Sequence, residues 1–152
     1  MGTISVACCQ LALRVGEAEH NRALSAQAIR RAAQRGANVI VLPELVNSGY
    51  VLRDKAEALA PRPQGERPAE MVKAQANAAV NRLFIAVCDR CETERGVAWI
   101  GGSVIVDADG YPLTQSLTGE GMVLASMDIG AADDKHIGRH NHVHRDRRPM
   151  LY

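Results

Sequence analysis

The chain has 152 residues, 47% of them hydrophobic and 23% charged. That size and balance suit one globular domain and exclude a disordered or fibrous chain. A net charge of +1, with the aromatic residues limited to Phe84, Trp99, Tyr50, Tyr111 and Tyr152, argues against nucleic acid and anionic membrane surfaces as partners.

The opening Met-Gly-Thr-Ile-Ser-Val lacks a basic stretch followed by an apolar core, so no secretory signal is expected. Val6 stands where a myristoylation motif needs Ser or Thr. No apolar run approaches the ~20 residues of a membrane helix. A cytoplasmic protein with free thiols is the expectation for Cys8, Cys9, Cys88 and Cys91. Cys8 and Cys9, as neighbours on a strand, would point to opposite faces.

Ile4 to Leu13 is apolar nearly throughout and predicts a strand covered on both faces. Glu17 to Arg35 predicts a helix, with Ala23, Leu24, Ala28, Ile29 and Ala32 at helical spacing and Gly36 in the glycine position after its end. Asn38 to Pro43 is a short β-branched run and predicts a second buried strand. Strand, helix and strand in so short a span form a βαβ unit, which implies parallel pairing. Pro61, Pro63, Gly65 and Pro68 mark a loop over residues 60–68. Ala69 to Arg82 predicts a second helix with Met71, Val72, Ala76, Ala79 and Val80 as its apolar set. Strands follow at Leu83 to Cys88 and Trp99 to Val106. Asp107-Ala-Asp-Gly110 is a strong turn signal, and residues 122–129 predict one more strand. From Ala131 onward the polar, basic sequence predicts an extended tail over residues 131–152.

Glu44 directly follows a buried strand, where open α/β sheets build their sites. A partly desolvated carboxylate there can act as a general base. The alternative is a loop carboxylate that caps a turn or pairs with an Arg. Cys88-Asp89-Arg90-Cys91 has C-x-x-C spacing, but no second ligand pair matches it for zinc and no helix opens at Cys91 for redox use. Cys88 is most simply a small core residue. His136, His140, His142 and His144, near Asp133, Asp134 and Asp146, form a solvated segment able to bind transition metals only adventitiously. Gly101-Gly102-Ser103 lacks a dinucleotide fingerprint and predicts close packing between layers.

Several segments together resemble the nitrilase (carbon–nitrogen hydrolase) superfamily. They are Ala7-Cys-Cys-Gln10, Asn21, Gly36-Ala-Asn-Val-Ile-Val-Leu-Pro-Glu44 and Ser48-Gly49-Tyr50. In the same order come Ala76 to Asn81, Phe84 to Arg90, Glu94-Arg-Gly96, Gly101-Gly-Ser103 and Asp109-Gly110. The closing Asp134-Lys135 and Arg147-Arg-Pro-Met-Leu-Tyr152 are similar as well. The resemblance implies an α/β fold, the α-β-β-α sandwich, often assembled as dimers through helices on one face. It implies hydrolysis of small nitriles, amides or N-carbamoyl compounds by a Glu, a Lys and a Cys, with no metal or organic cofactor.

Glu44 matches the family's catalytic Glu. The segments that carry the Lys and the nucleophilic Cys are missing, which places an internal deletion near residues 60–70. The expected product is a single truncated domain, a partial α-β-β-α sandwich with exposed strand edges that favour association. Of the available lysines, Lys55, Lys73 and Lys135, none is well placed as a substitute. Three readings follow: an inactive family member, an interaction protein that pairs with an intact relative, and a residual hydrolase using Cys88 with Glu44. A homo-oligomer, or association with an intact relative, is the expected assembly.

Overall fold

The computed structural model describes residues 2–46 and 69–151. The expected Pro-rich loop at 60–68 lies outside them, as does most of the assigned deletion junction.

The first strand, β1 (Thr3–Gln10), is the centre of a three-stranded sheet. It leads into helix α1 (Ala18–Gln34) and then β2 (Val39–Val41). β2 pairs parallel with β1, Val6 opposite Val39, as the βαβ pattern requires. The other neighbour of β1 is the late strand β7 (Gly121–Asp128), antiparallel along its full length from Thr3–Asp128 to Gln10–Gly121. α1 ends in a Schellman turn: the Ala37 amide donates to the Ala32 carbonyl at 3.0 Å, the Gly36 amide to Ala33 at 2.9 Å, and Gly36 takes φ +81°.

The second half begins with helix α2 (Ala69–Asn81) and continues through β3 (Ile85–Val87), β4 (Thr93–Glu94), β5 (Val97–Ala98) and β6 (Val104–Val106). β3 and β6 form a two-stranded antiparallel sheet. The strand expected at 83–88 is thus cut to its middle residues, and the one expected at 99–106 to its last three. Gly101 and Gly102 take φ +65° and +100°, which no ladder accommodates, so β6 starts only after them. Residues 93–98 hold the β4–β5 hairpin; Arg95 and Gly96 supply its turn at φ +47° and +84°.

Side chains of β1 and β7 alternate between two cores. Val6, Cys8, Val123, Ala125 and Met127 meet Ile105 between the sheets, with Phe84, Ala86 and Cys88 packed against them. Ala7, Cys9, Leu11 and Leu13 meet Ala32, Leu24 and Ala28 under α1. A third core joins Ala74 and Ala78 of α2 to Val104 and Val106. The layers therefore run α1, sheet, sheet, α2, which is the α-β-β-α sandwich. Cys8 and Cys9 face opposite cores, as strand geometry demands.

Two expectations about faces need correction. On α2 the buried residues are Ala74 and Ala78, whereas Val72 and Val80 are exposed. On α1, Ala23 and Ile29 are exposed, and the buried positions include Asn21 and Ser25. The buried stripe of α2 is alanine, Ala74 and Ala78 set against Val104 and Val106. The segment from 131, expected as extended, carries a 3-10 turn (Ile129–Asp133), the hairpin β8 (His136–Gly138) and β9 (Asn141–His142), and a second 3-10 turn (Pro149–Leu151). Lys135 Nζ fastens it to the body, donating to the carbonyls of Arg82 at 2.7 Å and Asn81 at 3.3 Å.

Candidate active site

Glu44 lies in the turn that follows β2, beyond the buried Pro43, and is exposed. Cys88, Asp89 and Arg90 follow β3. Leu11, just past β1, forms a parallel bridge with Arg90. The carboxyl ends of β1, β2 and β3 therefore open at one end of the sandwich, and Glu44 belongs to that end.

Arg90 organises it. The residue is 2% exposed, and its NH1 donates to Glu94 Oε1 at 2.8 Å and Oε2 at 3.0 Å. Its NH2 donates to the Glu44 carbonyl, and the guanidinium carbon lies 5.0 Å from the Trp99 ring centroid. A buried cation demands this degree of pairing. The β4–β5 hairpin places Glu94 and Trp99 around the guanidinium, and the guanidinium in turn fixes the backbone that presents Glu44.

Cys88 is held differently. It packs against the core between the sheets, and its thiol donates to the Cys9 carbonyl at 3.2 Å. The hydrogen-bonded Cys8 thiol and burial together push Cys88 far above the ordinary thiol range. Burial pushes Cys91 up to about 11, and Cys9 likewise to about 11. Among the described residues, no three His, Cys, Asp or Glu side chains converge to hold a metal ion. In the histidine-rich segment, His136 Nδ1 meets Asp134 Oδ1 at 2.7 Å, and His142 Nδ1 accepts from the amides of His144 and Arg145. No helix of the described residues is long and apolar enough to cross a membrane.

A polar network behind the site joins the two sheets. Gln10 Oε1 accepts from the Ser103 hydroxyl at 2.8 Å and the Ser103 amide at 3.1 Å, while Gln10 Nε2 donates to the Gly119 carbonyl at 2.7 Å. The Asp89 amide donates to Ser103 Oγ at 2.9 Å, and burial raises the Asp89 carboxyl. A Cβ at Gly101 would lie 2.8 Å from Gln10 Nε2, so the expected close approach between layers is present. A groove of about 510 Å³ runs between α1 and the β1–β7 pair, lined by Leu11, Leu24, Arg31, Arg35 and Met122 among others. Neither Glu44 nor Cys88 is among its lining residues.

The position of Glu44 just after a strand is legible in the sequence, and the residue does follow β2. Arg90, Glu94 and Trp99 were not singled out as a group. The one available signal was a lone Arg just past a strand, with a Glu four residues on and a Trp nine residues on.

Residues 5–79 match the family model for carbon-nitrogen hydrolase. Among solved structures, the fold is similar to that of an amidase from Nesterenkonia sp. AN1. A Cys-to-Ala mutant of it, described as from the nitrilase superfamily, aligns with TM-score 0.66 and 18% identity, over 86% of this chain and 93% of that chain. The tag-free amidase aligns with TM-score 0.70 and 18% identity, over 97% and 98%. A Glu-to-Gln mutant carrying the acetamide moiety of fluoroacetamide on its active-site cysteine aligns with TM-score 0.71 and 17% identity, over 97% and 95%. At these identities the structural likeness is one of fold. None of the curated proteins matches the chain significantly. In its family match over residues 5–79 and in its α-β-β-α sandwich, this chain is similar to the nitrilase, or carbon–nitrogen hydrolase, superfamily.

Proposed function

We propose that this chain keeps the superfamily's fold and its Glu44 but lacks the covalent chemistry, through an internal deletion near residues 60–70. The setting of Cys88 carries the reading. A covalent C–N hydrolase needs a thiolate facing the substrate. Cys88 instead packs in the core, with its proton held on the Cys9 carbonyl. The Cys8 thiol and burial favour the neutral form further. Lys73 and Lys135 offer no replacement for the missing Lys: Lys73 rides on α2, and Lys135 is committed to the carbonyls that end that helix. Losing the nucleophile of a triad enzyme costs about 10⁶ in turnover. Glu44 could still bind and polarise a water or an amide in a cytoplasmic setting.

The test is ammonia release from a panel of small nitriles, amides and N-carbamoyl amino compounds by folded protein. No release above the uncatalysed background is expected. Release that disappears in both Glu44→Gln and Cys88→Ala would establish the residual hydrolase and overturn the inactive reading.

A second reading, an interaction protein that associates with itself or with an intact relative, is supported by the sheet order β2-β1-β7. Both outer strands of that sheet end without a further partner among the described residues. Co-elution with a full-length family amidase would support it.

A further inference from the structure

We infer that the outer edge of β7 is a pairing surface for a second copy of this chain, joined antiparallel across a two-fold axis. The inference sharpens the second reading above and rests on it only in holding that an open edge is used.

β7 spans eight residues and pairs with β1 along all of them, while no described residue ladders against its other side. Folded proteins ordinarily guard such an edge with Lys, Pro, a bulge or a short length. From Gly121 to Met127 the strand holds no charged residue and no proline, and its register with β1 runs without a break. The competing edges are much shorter: β2, β3 and β6 have three residues each.

The occupant follows from the strand's own pattern. Val123, Ala125 and Met127 face the core between the sheets, and Met122 and Leu124 face the α1 side. In an antiparallel pair, directly opposed residues point to the same face. A strand meeting its own copy keeps both faces matched when the two-fold passes through a residue position, and a one-residue slip destroys the match. With Ala125 on the axis, Val123 meets Met127, Leu124 meets Ser126, and Met122 meets Asp128. Apolar residues then oppose one another on the inter-sheet face, and no carboxylate meets a carboxylate. With Leu124 on the axis, Glu120 would meet Asp128, a like-charge pair that disfavours that register. A two-fold of this kind is isologous and closes at two copies, giving a six-stranded sheet instead of an open fibre.

Ser126 is exposed, so Ser126→Lys alters the edge without emptying a core. It places a cation opposite Leu124 of the partner copy twice per dimer. Sedimentation velocity of the full chain over a wide concentration series is expected to show monomer and dimer. The dimer constant of Ser126→Lys should weaken by on the order of 10-fold or more. Hydrogen exchange should show amides in 121–128 gaining protection on dimerisation, while those of β3 and β6 do not change. Because the exchange readout uses the unaltered protein, it decides the matter even if the variant folds poorly. A monomer at all concentrations, or a dimer that leaves 121–128 unprotected, would overturn the inference. Pairing with a full-length relative by a chain that never self-associates would overturn it too, and would leave the second reading standing.

Discussion

The two halves of the sandwich are held together by different means. The α1 half has two eight-residue strands in unbroken register, and its interior is mostly apolar side chains and thiols, with the buried Asn21 bonded to the Arg14 backbone as its main polar contact. The α2 half has two three-residue strands, too few ladder bonds to fix a sheet, and it carries the polar and steric fixtures instead. Arg90 with Glu94, Gln10 with Ser103, Gly110 against α2, and Lys135 on the end of α2 all lie in that half or tie it to the other. Where a ladder is long, backbone pairing and burial suffice. Where it is short, individual buried polar contacts must define the geometry.

Arg90→Met tests that difference most severely. It leaves Glu94 a buried carboxylate without its ion-pair partner Arg90, and breaking such a pair destabilises by about 3–5 kcal/mol. The Glu44 turn would also lose the guanidinium on its carbonyl. Urea unfolding should show the loss, and a change below about 1 kcal/mol would mean that the α2 half does not depend on its polar fixtures.

Gly110→Ala is next. Gly110 has φ +85°, and an added Cβ would lie 2.6 Å from the Gln75 carbonyl and 3.1 Å from Ala79 Cβ. The obstruction is helix backbone, which cannot rotate away, and Gln75 Nε2 also donates to the Gly110 carbonyl at 2.9 Å. Strain and overpacking together should cost about 2–4 kcal/mol. Gly36→Ala is the control, since Gly36 has a similar φ of +81° with nothing within 4 Å, and should cost only about 1 kcal/mol. Equal losses in the two variants would remove the packing part of the explanation.

The α1 half should respond to alkali rather than to loss of a salt bridge. Burial raises Cys9 from 9.0 to about 11. The folded state therefore keeps a proton that the unfolded state releases above pH 9. Stability from this source is fully present below pH 9 and declines as pH rises toward 11, by on the order of 1–3 kcal/mol. Urea midpoints should fall between pH 8.5 and 10.5 (roughly the flanks of the transition), and Cys9→Ala should flatten part of that fall. An unchanged slope in the variant would show that Cys9 is not a source of the pH dependence.

The sequence displayed the α1 half better than the α2 half for the same reason. Continuous apolar runs predict long strands, and β1, α1, β2 and β7 lie close to where periodicity puts them. In the α2 half, Gly101 and Gly102 cut a run that looked like one strand, and the burial of Ala74 and Ala78 over Val72 depends on how closely α2 approaches β6. The place of Glu44 after a strand could be read from its neighbours, but what holds that turn could not. The Arg90 contact to Glu44 spans 46 positions, and its geometry exists only once β1, β2 and β3 are aligned.

Lys135 gives the smallest effect and the finest test of the comparison. α2 ends in a Schellman turn like that of α1, with the Leu83 amide donating to the Ala78 carbonyl at 3.1 Å. At the position where α1 has Gly36, α2 has Arg82, a non-glycine residue at φ +53°. That conformation costs a side-chain-bearing residue roughly 1 kcal/mol. The Lys135 ammonium offsets part of it, sitting on the carbonyls of Asn81 and Arg82 at the negative end of the helix dipole. Lys135→Met keeps the aliphatic stem and removes the charge, and should lower stability by about 0.5–1 kcal/mol. Added salt should shrink the difference, because the contact is partly exposed. The same substitution in an Arg82→Gly background should cost less, since glycine relieves the strain that the ammonium counters. Equal costs in the two backgrounds would mean that Lys135 only anchors the chain after β7 and does not hold the helix end.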